Sequence, residues 1–306
     1  MRIVFLGTAD FAVPSLRHCN EQHDVVAVVS QPDKAGSRGR PAARPVADVA
    51  RELHIPLLTP PRVRDPQSLA EIAALQPDAL VVAAYGQILP QALLDIPRLA
   101  PVNVHGSLLP RWRGASPVAH AILAGDTESG VTIMRMDAGL DTGPMYSRTP
   151  VDIPEDATAP ALTATLASAG AVALDGVLQQ LEDGSATVTA QPDDGVTLAP
   201  RLTREDGAVT WEECTAVDVD RRVRAFDPWP GVTANLGGAP VRILAGAREP
   251  GGDSGAAATP GDVIRIDGES VVVATRAGGY RVDRVVPAGS RAMSAAAYLR
   301  GRRSVH

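Results

Sequence analysis

Asn103 and His105 stand two residues apart at the end of an apolar stretch, residues 99–104, and open the segment NVHGSLLPRWRGASPV. On a strand, residues i and i+2 point to the same face. A primary amide beside an imidazole supplies two hydrogen-bond donors, one of them able to change charge near neutrality. Such a pair could hold the oxygen that becomes negative when a carbonyl is attacked. It could equally be ordinary loop polarity. A carboxylate would complete the group by keeping the imidazole charged or by accepting a proton. The glycine-rich stretch MDAGLDTGPM, residues 136–145, offers two, Asp137 and Asp141. The residues alone leave both open, Asp137 reading also as a turn or cap residue.

Two other stretches invite chemistry. Residues 31–46, QPDKAGSRGRPAARPV, carry Lys34, Arg38, Arg40 and Arg44 against a single acid, Asp33. A loop of this composition could embrace a phosphate-rich substrate, or be a solvated surface loop. GTADFA, from Gly7, takes the place of a dinucleotide fingerprint between strand and helix, but Ala9 and Ala12 stand where glycines are needed. Ala9 would obstruct the approach of a pyrophosphate, so an NAD-dependent oxidoreductase is the weaker reading and a tight strand-to-helix turn the simpler one.

The elements that must position these residues are legible from the pattern. Apolar runs at residues 2–7, 24–31, 79–85 and 100–105 read as strands, and residues 45–54 and 66–76 as helices, with a further short helix after Pro14 and an extended piece at 55–60. Continuous apolar strands alternating with helices predict an α/β domain with a mostly parallel sheet covered on both faces. Ligands bind at the carboxyl ends of such strands, where Asn103 and His105 fall. Residues 116–125 then read as a helix, 130–137 and 144–153 as antiparallel strands, and 162–184 as a long helix ended by Gly184. Residues 187–207 are polar and turn-rich and read as a linker. From residue 208 to 306, short β-like segments between glycine turns predict a small all-β barrel, with residues 246–261 a loop.

The 306 residues suit two domains. Net charge is −6, with residues 1–200 at −8 and residues 201–306 at +2, and Lys34 is the sole lysine. An acidic chain is not an obvious nucleic-acid binder, although basic segments can act locally. Cys19 and Cys214 lack metal, redox or disulfide spacing, and the first residues lack the pattern of a signal peptide. No stretch reads as long enough and apolar enough to span a bilayer. These features predict a cytoplasmic protein without a membrane partner, and a monomer.

NVHGSLLPRWRG followed by GVTIMRMDAGLDTGPM resembles the signature of the formyltransferase superfamily that uses 10-formyltetrahydrofolate. FLGTADFAVPSL, QPDKAGSRGR, VVAAYGQILP, RAFDPWPG and PAGSRAMSAAAYL extend the resemblance from residue 2 to residue 300, toward the branch that formylates methionyl-tRNA. The resemblance implies a Rossmann-like formyltransferase catalytic domain at residues 1–186 and an OB-like β-barrel that binds tRNA at 208–306. It implies Asn103, His105 and Asp141 as the catalytic residues and Ser107, Leu108, Leu109 and Pro110 as the folate-contacting loop. It places Lys34, Arg38, Arg40 and Arg44 on initiator Met-tRNA. It further implies that the formyl group passes directly from 10-formyltetrahydrofolate to the methionine amine, with no metal. The alternative within the superfamily is transfer to a small amine or to water. The chain departs from many relatives in having a single lysine in the basic loop, and Pro144 where some have Asp.

Overall fold

A computed structural model describes residues 1–32, 44–249 and 258–303. They form two compact units. One comprises Met1–Val118, Thr127–Ile153 and Ala161–Pro200; the other comprises Ala119–Asp126, Pro154–Pro160 and the chain from Arg201 onward. In chain order, β1 (Arg2–Gly7) leads to α1 (Val13–Gln22), β2 (Asp24–Val29), α2 (Pro45–Glu52), β3 (Leu57–Leu58), α3 (Pro66–Ala74), β4 (Ala79–Ala83), α4 (Gln91–Leu94), β5 (Ala100–His105), α5 (Pro117–Ala124), β6 (Glu128–Arg135), β7 (Met145–Asp152) and α6 (Ala159–Asp183). Proline sits in the first turn of α1, α2 and α3, where its missing N–H would have had no partner in any case.

The seven strands of the first unit form one sheet in the order β3-β2-β1-β4-β5-β6-β7. The first five in that order are parallel, and β5–β6 and β6–β7 are antiparallel. β5 is therefore the junction between the two regimes, with Asn103 paired to Val82 on one side and Met134 on the other. Every residue of β4 and β5 is buried, as predicted for continuous apolar strands. Val4, Leu6, Leu80, Val82, Ile72 and Leu93 form the core on one face. α6 lies over β5 and β6, where Gly170 leaves room for Val104 and Val131; a Cβ there would lie 2.8 Å from Val104.

α6 corrects one expectation. Its 25 residues are long and apolar enough, by length and composition, to cross a membrane. Its buried residues, among them Leu162, Leu166, Leu174 and Leu178, face the protein core.

The second unit contains α7 (Ala216–Ala225), β8 (Val232–Leu236), β9 (Ala239–Arg248), β10 (Val263–Asp267), β11 (Ser270–Ala274), β12 (Gly279–Pro287), β13 (Met293–Ser294) and α8 (Ala295–Arg303). Its strands make an antiparallel sheet in the order β10-β11-β12-β9-β8, with β13 on β12. The β8–β9 hairpin turns on Gly237 and Gly238, both at positive φ, as a two-residue hairpin turn of this hand requires. The all-β expectation is corrected by α7, which packs on β9, and α8, which packs on β12. α7 starts with a capping box in which the Thr215 hydroxyl accepts from Asp218 N–H and the Asp218 carboxylate accepts from Thr215. Of the loop expected at 246–261, residues through Arg248 belong to β9, and residues 250–257 lie outside the described residues.

Candidate active site

Asn103 and His105 share one face of β5, with Asn103 8% and His105 6% exposed. Among the described residues the Asn103 amide has no hydrogen-bond partner, so its donors are uncommitted. The His105 ring is held at Nε2, 3.0 Å from the Trp112 carbonyl. Its other nitrogen, Nδ1, faces Asp141 Oδ1 at 3.7 Å. That distance is ion-pair contact and too long for a hydrogen bond.

The two carboxylates of the 136–145 turn have different tasks. Asp137 Oδ1 accepts from Gly139 N–H at 3.0 Å and from the Thr142 hydroxyl at 2.7 Å, which closes the turn on itself. Asp141 takes a left-handed backbone, φ +52°, uncommon for a residue with a side chain. Its Oδ2 accepts from Gly114 N–H at 2.9 Å, and Oδ1 is left toward His105. Gly114 itself has φ +125°, and a Cβ there would lie 2.6 Å from the Ala199 carbonyl oxygen. No other residue fits without moving one of the two chains.

The loop after β5 is pinned from below. Thr132 on β6, fully buried, donates its hydroxyl to Ser107 O at 2.7 Å and accepts from Leu109 N–H at 3.0 Å. Ser107 is buried and its hydroxyl donates to Arg111 O at 2.6 Å; Leu109 is buried against Met134 and Met145. Of the four residues predicted for the folate loop, Ser107, Leu109 and Pro110 are buried and Leu108 is half-buried. What they can offer a ligand is chiefly the path of their backbone. Trp112 is half-buried, with Arg111 stacked 4.3 Å over its ring.

The stretch expected to be a linker is bound into this site. Thr197 accepts Trp112 N–H on its hydroxyl at 2.8 Å. Arg113 donates N–H to Thr197 O and accepts from Ala199 N–H. Thr189 exchanges two backbone bonds with Met145. Gln191 donates to Asp141 O and Gly143 O, both at 2.8 Å, and accepts from the Arg113 guanidinium at 3.0 and 2.7 Å. Sequence reading missed Thr132, Gln191 and Thr197. Only Thr132 carried a signal, its place on a predicted strand beside β5.

The remaining candidates fall elsewhere. Lys34, Arg38 and Arg40 lie outside the described residues, and Arg44 precedes α2 as its N-cap. At Gly7 a Cβ would lie 2.8 Å from Phe5 and 3.1 Å from Ala83 O, so this glycine serves close packing. Beside it Thr8 donates to Tyr85 O at 3.0 Å and Gln31 Nε2 donates to the same oxygen at 2.8 Å. These bonds tie together the carboxyl ends of β1, β2 and β4, where a dinucleotide would have to enter. Among the described residues no cluster of three or more His, Cys, Asp or Glu could hold a metal ion.

Asn103 and His105 at the end of β5, with Asp141 brought to them by a tight turn, sit in a fold that comparison places directly. Residues 1–178 match the formyl transferase family and residues 201–303 match the formyl transferase C-terminal domain. The chain belongs to the formyl transferase family. It is 46% identical over 304 residues to the methionyl-tRNA formyltransferase of Paramagnetospirillum magneticum, covering 98% of this chain and 97% of that one. It is 46% identical over 307 residues to that of a Roseiflexus species, covering 99% and 93%. Among solved structures it resembles HypX from Aquifex aeolicus in complex with tetrahydrofolic acid, with TM-score 0.67, 20% identity, and 98% of this chain and 47% of that chain covered. It also resembles WlaRD, a sugar 3N-formyl transferase, with TM-score 0.66, 16% identity, and 95% and 99% covered.

Proposed function

We propose that this one-carbon transferase moves the formyl group of 10-formyltetrahydrofolate to the α-amino group of methionine on initiator Met-tRNA. The convergence of Asn103, His105 and Asp141 at the end of β5 carries the reading, together with full-length similarity to methionyl-tRNA formyltransferases. A free α-amine titrates at about 7.7–8.0 and must be neutral to attack. It adds to the formyl carbon, and the carbonyl oxygen gains negative charge. The Asn103 amide and the His105 imidazolium hydrogen-bond that oxygen. Because Nε2–H is committed to the Trp112 carbonyl, the His105 donor is Nδ1–H. Asp141, beside Nδ1, takes the proton released by the attacking amine. The tetrahedral centre then collapses, the C–N10 bond breaks, and N10 leaves as the neutral amine of tetrahydrofolate, taking the proton that Asp141 had accepted.

In this reading residues 1–186 are the catalytic domain, with the loop of Ser107, Leu108, Leu109 and Pro110 beside the folate. Residues 208–306, joined to it by 187–207, bind tRNA together with the loop of Lys34, Arg38, Arg40 and Arg44. The protein works in the cytoplasm as a monomer, without a metal. Transfer to a small amine or to water is the competing reading. The test is formyl transfer from 10-formyltetrahydrofolate to charged initiator tRNA, run beside free amines and buffer alone. Formylation of Met-tRNA far above both supports the proposal, and equal release of formate without tRNA overturns it.

A further inference from the structure

The geometry points to Gln191 as a positioning residue for Asp141, an inference that rests on the proton-accepting role proposed for that carboxylate. Gln191 is half-buried, and its amide is saturated by protein. One hydrogen goes to Asp141 O and the other to Gly143 O, while the oxygen takes Nε and Nη2 of Arg113. Those two carbonyls bracket the left-handed bend at φ +52° that turns the Asp141 side chain toward His105. A non-glycine residue in this conformation persists only where its surroundings over-determine it. Here a single side chain, which also grips Arg113, ties down the carbonyls on both sides of the bend. Arg113 directly precedes Gly114, the N–H donor to Asp141 Oδ2. Gln191 thus fixes Asp141 from both ends, through its backbone and through the loop segment whose Gly114 N–H binds its carboxylate. Nothing places Gln191 in contact with the reacting atoms, so it acts through Asp141.

Positioning has a signature that general stability lacks. Removing the amide should lower kcat, because a displacement of about 1 Å in a reacting group costs about a hundredfold. It should leave KM for folate and tRNA within twofold. The loss should also vanish once Asp141 can no longer accept a proton. The experiment compares Gln191→Ala, Gln191→Glu, Asp141→Asn and the Gln191→Ala/Asp141→Asn double variant in formyl transfer to Met-tRNA. Gln191→Glu keeps the volume and the acceptor for Arg113 but cannot donate to the two carbonyls, so it carries the test if Gln191→Ala does not fold. A 10- to 100-fold fall in kcat for the Gln191 variants, with less than a twofold further fall in the double variant, supports the assignment. Unchanged kcat, a fall in KM terms alone, or losses that multiply in the double variant overturn it. Full turnover by Asp141→Asn by itself overturns the underlying role of Asp141, and that result is read independently of any change at Gln191.

Discussion

The carbonyl of Trp112 occupies the Nε2 edge of His105. An amide oxygen can only accept, so the 3.0 Å contact requires that Nε2 carry the proton. Nδ1 is then the nitrogen left for chemistry, and it is the one turned to Asp141. A loop seven residues downstream thereby leaves the Nδ1 edge of the ring as the one facing Asp141.

His105→Ala and Asn103→Ala should each lower kcat by about 10²–10³, the usual effect of removing one oxyanion donor. Both side chains are at least nine-tenths buried, so circular dichroism and a melting curve must accompany the kinetics. Near-normal turnover by a folded variant would remove that residue from the mechanism.

Asp141→Asn should be at least as damaging, because an amide neither holds an imidazolium nor accepts a proton. Asp137→Asn should be mild. Its remaining amide oxygen can still accept from Gly139 N–H and the Thr142 hydroxyl. Steady-state kinetics of the two variants give the answer, and the reverse ranking would mean the turn was assigned its wrong carboxylate.

Gly114→Ala should reduce turnover by roughly 10- to 100-fold, the equivalent of one hydrogen bond to a charged group at about 1.5–3 kcal/mol. The added methyl meets Ala199 O, and the shift that relieves it withdraws Gly114 N–H from Asp141. Wild-type kinetics in this variant would show that the bond is dispensable.

Burial lowers the His23 pKa below the usual 6.5, outweighing the pull of Glu182 and Asp175 in the other direction. Both ring nitrogens are buried without partners, so a protonated ring would bury two unsatisfied donors. The unfolded chain accepts this proton more readily than the folded one. Stability from His23 is therefore complete above about pH 6.5 and is lost as pH falls from there toward the folded pKa. Urea midpoints should fall between pH 7.5 and 5.5, and His23→Gln should flatten that fall. Parallel curves for the two proteins would assign the pH dependence elsewhere.

Arg38→Ala should weaken Met-tRNA binding and leave folate affinity unchanged. Because a phosphate contact releases counterions, the variant's plot of log affinity against log salt should be shallower by about one unit. Identical slopes and activity would return the loop to a solvated surface role.

The strand that carries the site could be read to its last residue, because its continuous apolar run and the start of the Gly-Ser-Leu-Leu-Pro loop both mark where β5 ends. The choice between Asp137 and Asp141 could not be read, since it depends on which carboxylate the turn consumes. Gln191 and Thr197 were invisible for another reason. Their segment bonds to a loop, not to a long ladder, so it shows neither helical nor strand periodicity and passes for a linker. α7 was missed because four charged residues, Asp220, Arg221, Arg222 and Arg224, mask its apolar stripe, and its capping box uses Asp in place of Glu or Gln. α6 was read as a long helix but not as one apolar enough to span a bilayer, because Gly170, Asp175 and Gly176 interrupt its apolar run.

The bond from Trp112 to Thr197 spans 85 positions of sequence, and that from Gln191 to Asp141 O spans 50. A ribosome thus completes every residue that does the proposed chemistry well before it makes the ones that aim them. At 5–20 residues per second, the interval between Trp112 and Thr197 is roughly 4 to 17 s. Late in it the nascent chain carries Asn103, His105 and Asp141 without the segment that braces the loop after β5 and the bend at Asp141, and closing so distant a contact is entropically costly. Catalytic competence is therefore timed to the last stretch of the unit to be synthesised. A chain halted before Thr189 carries the reactive groups without the frame that directs them.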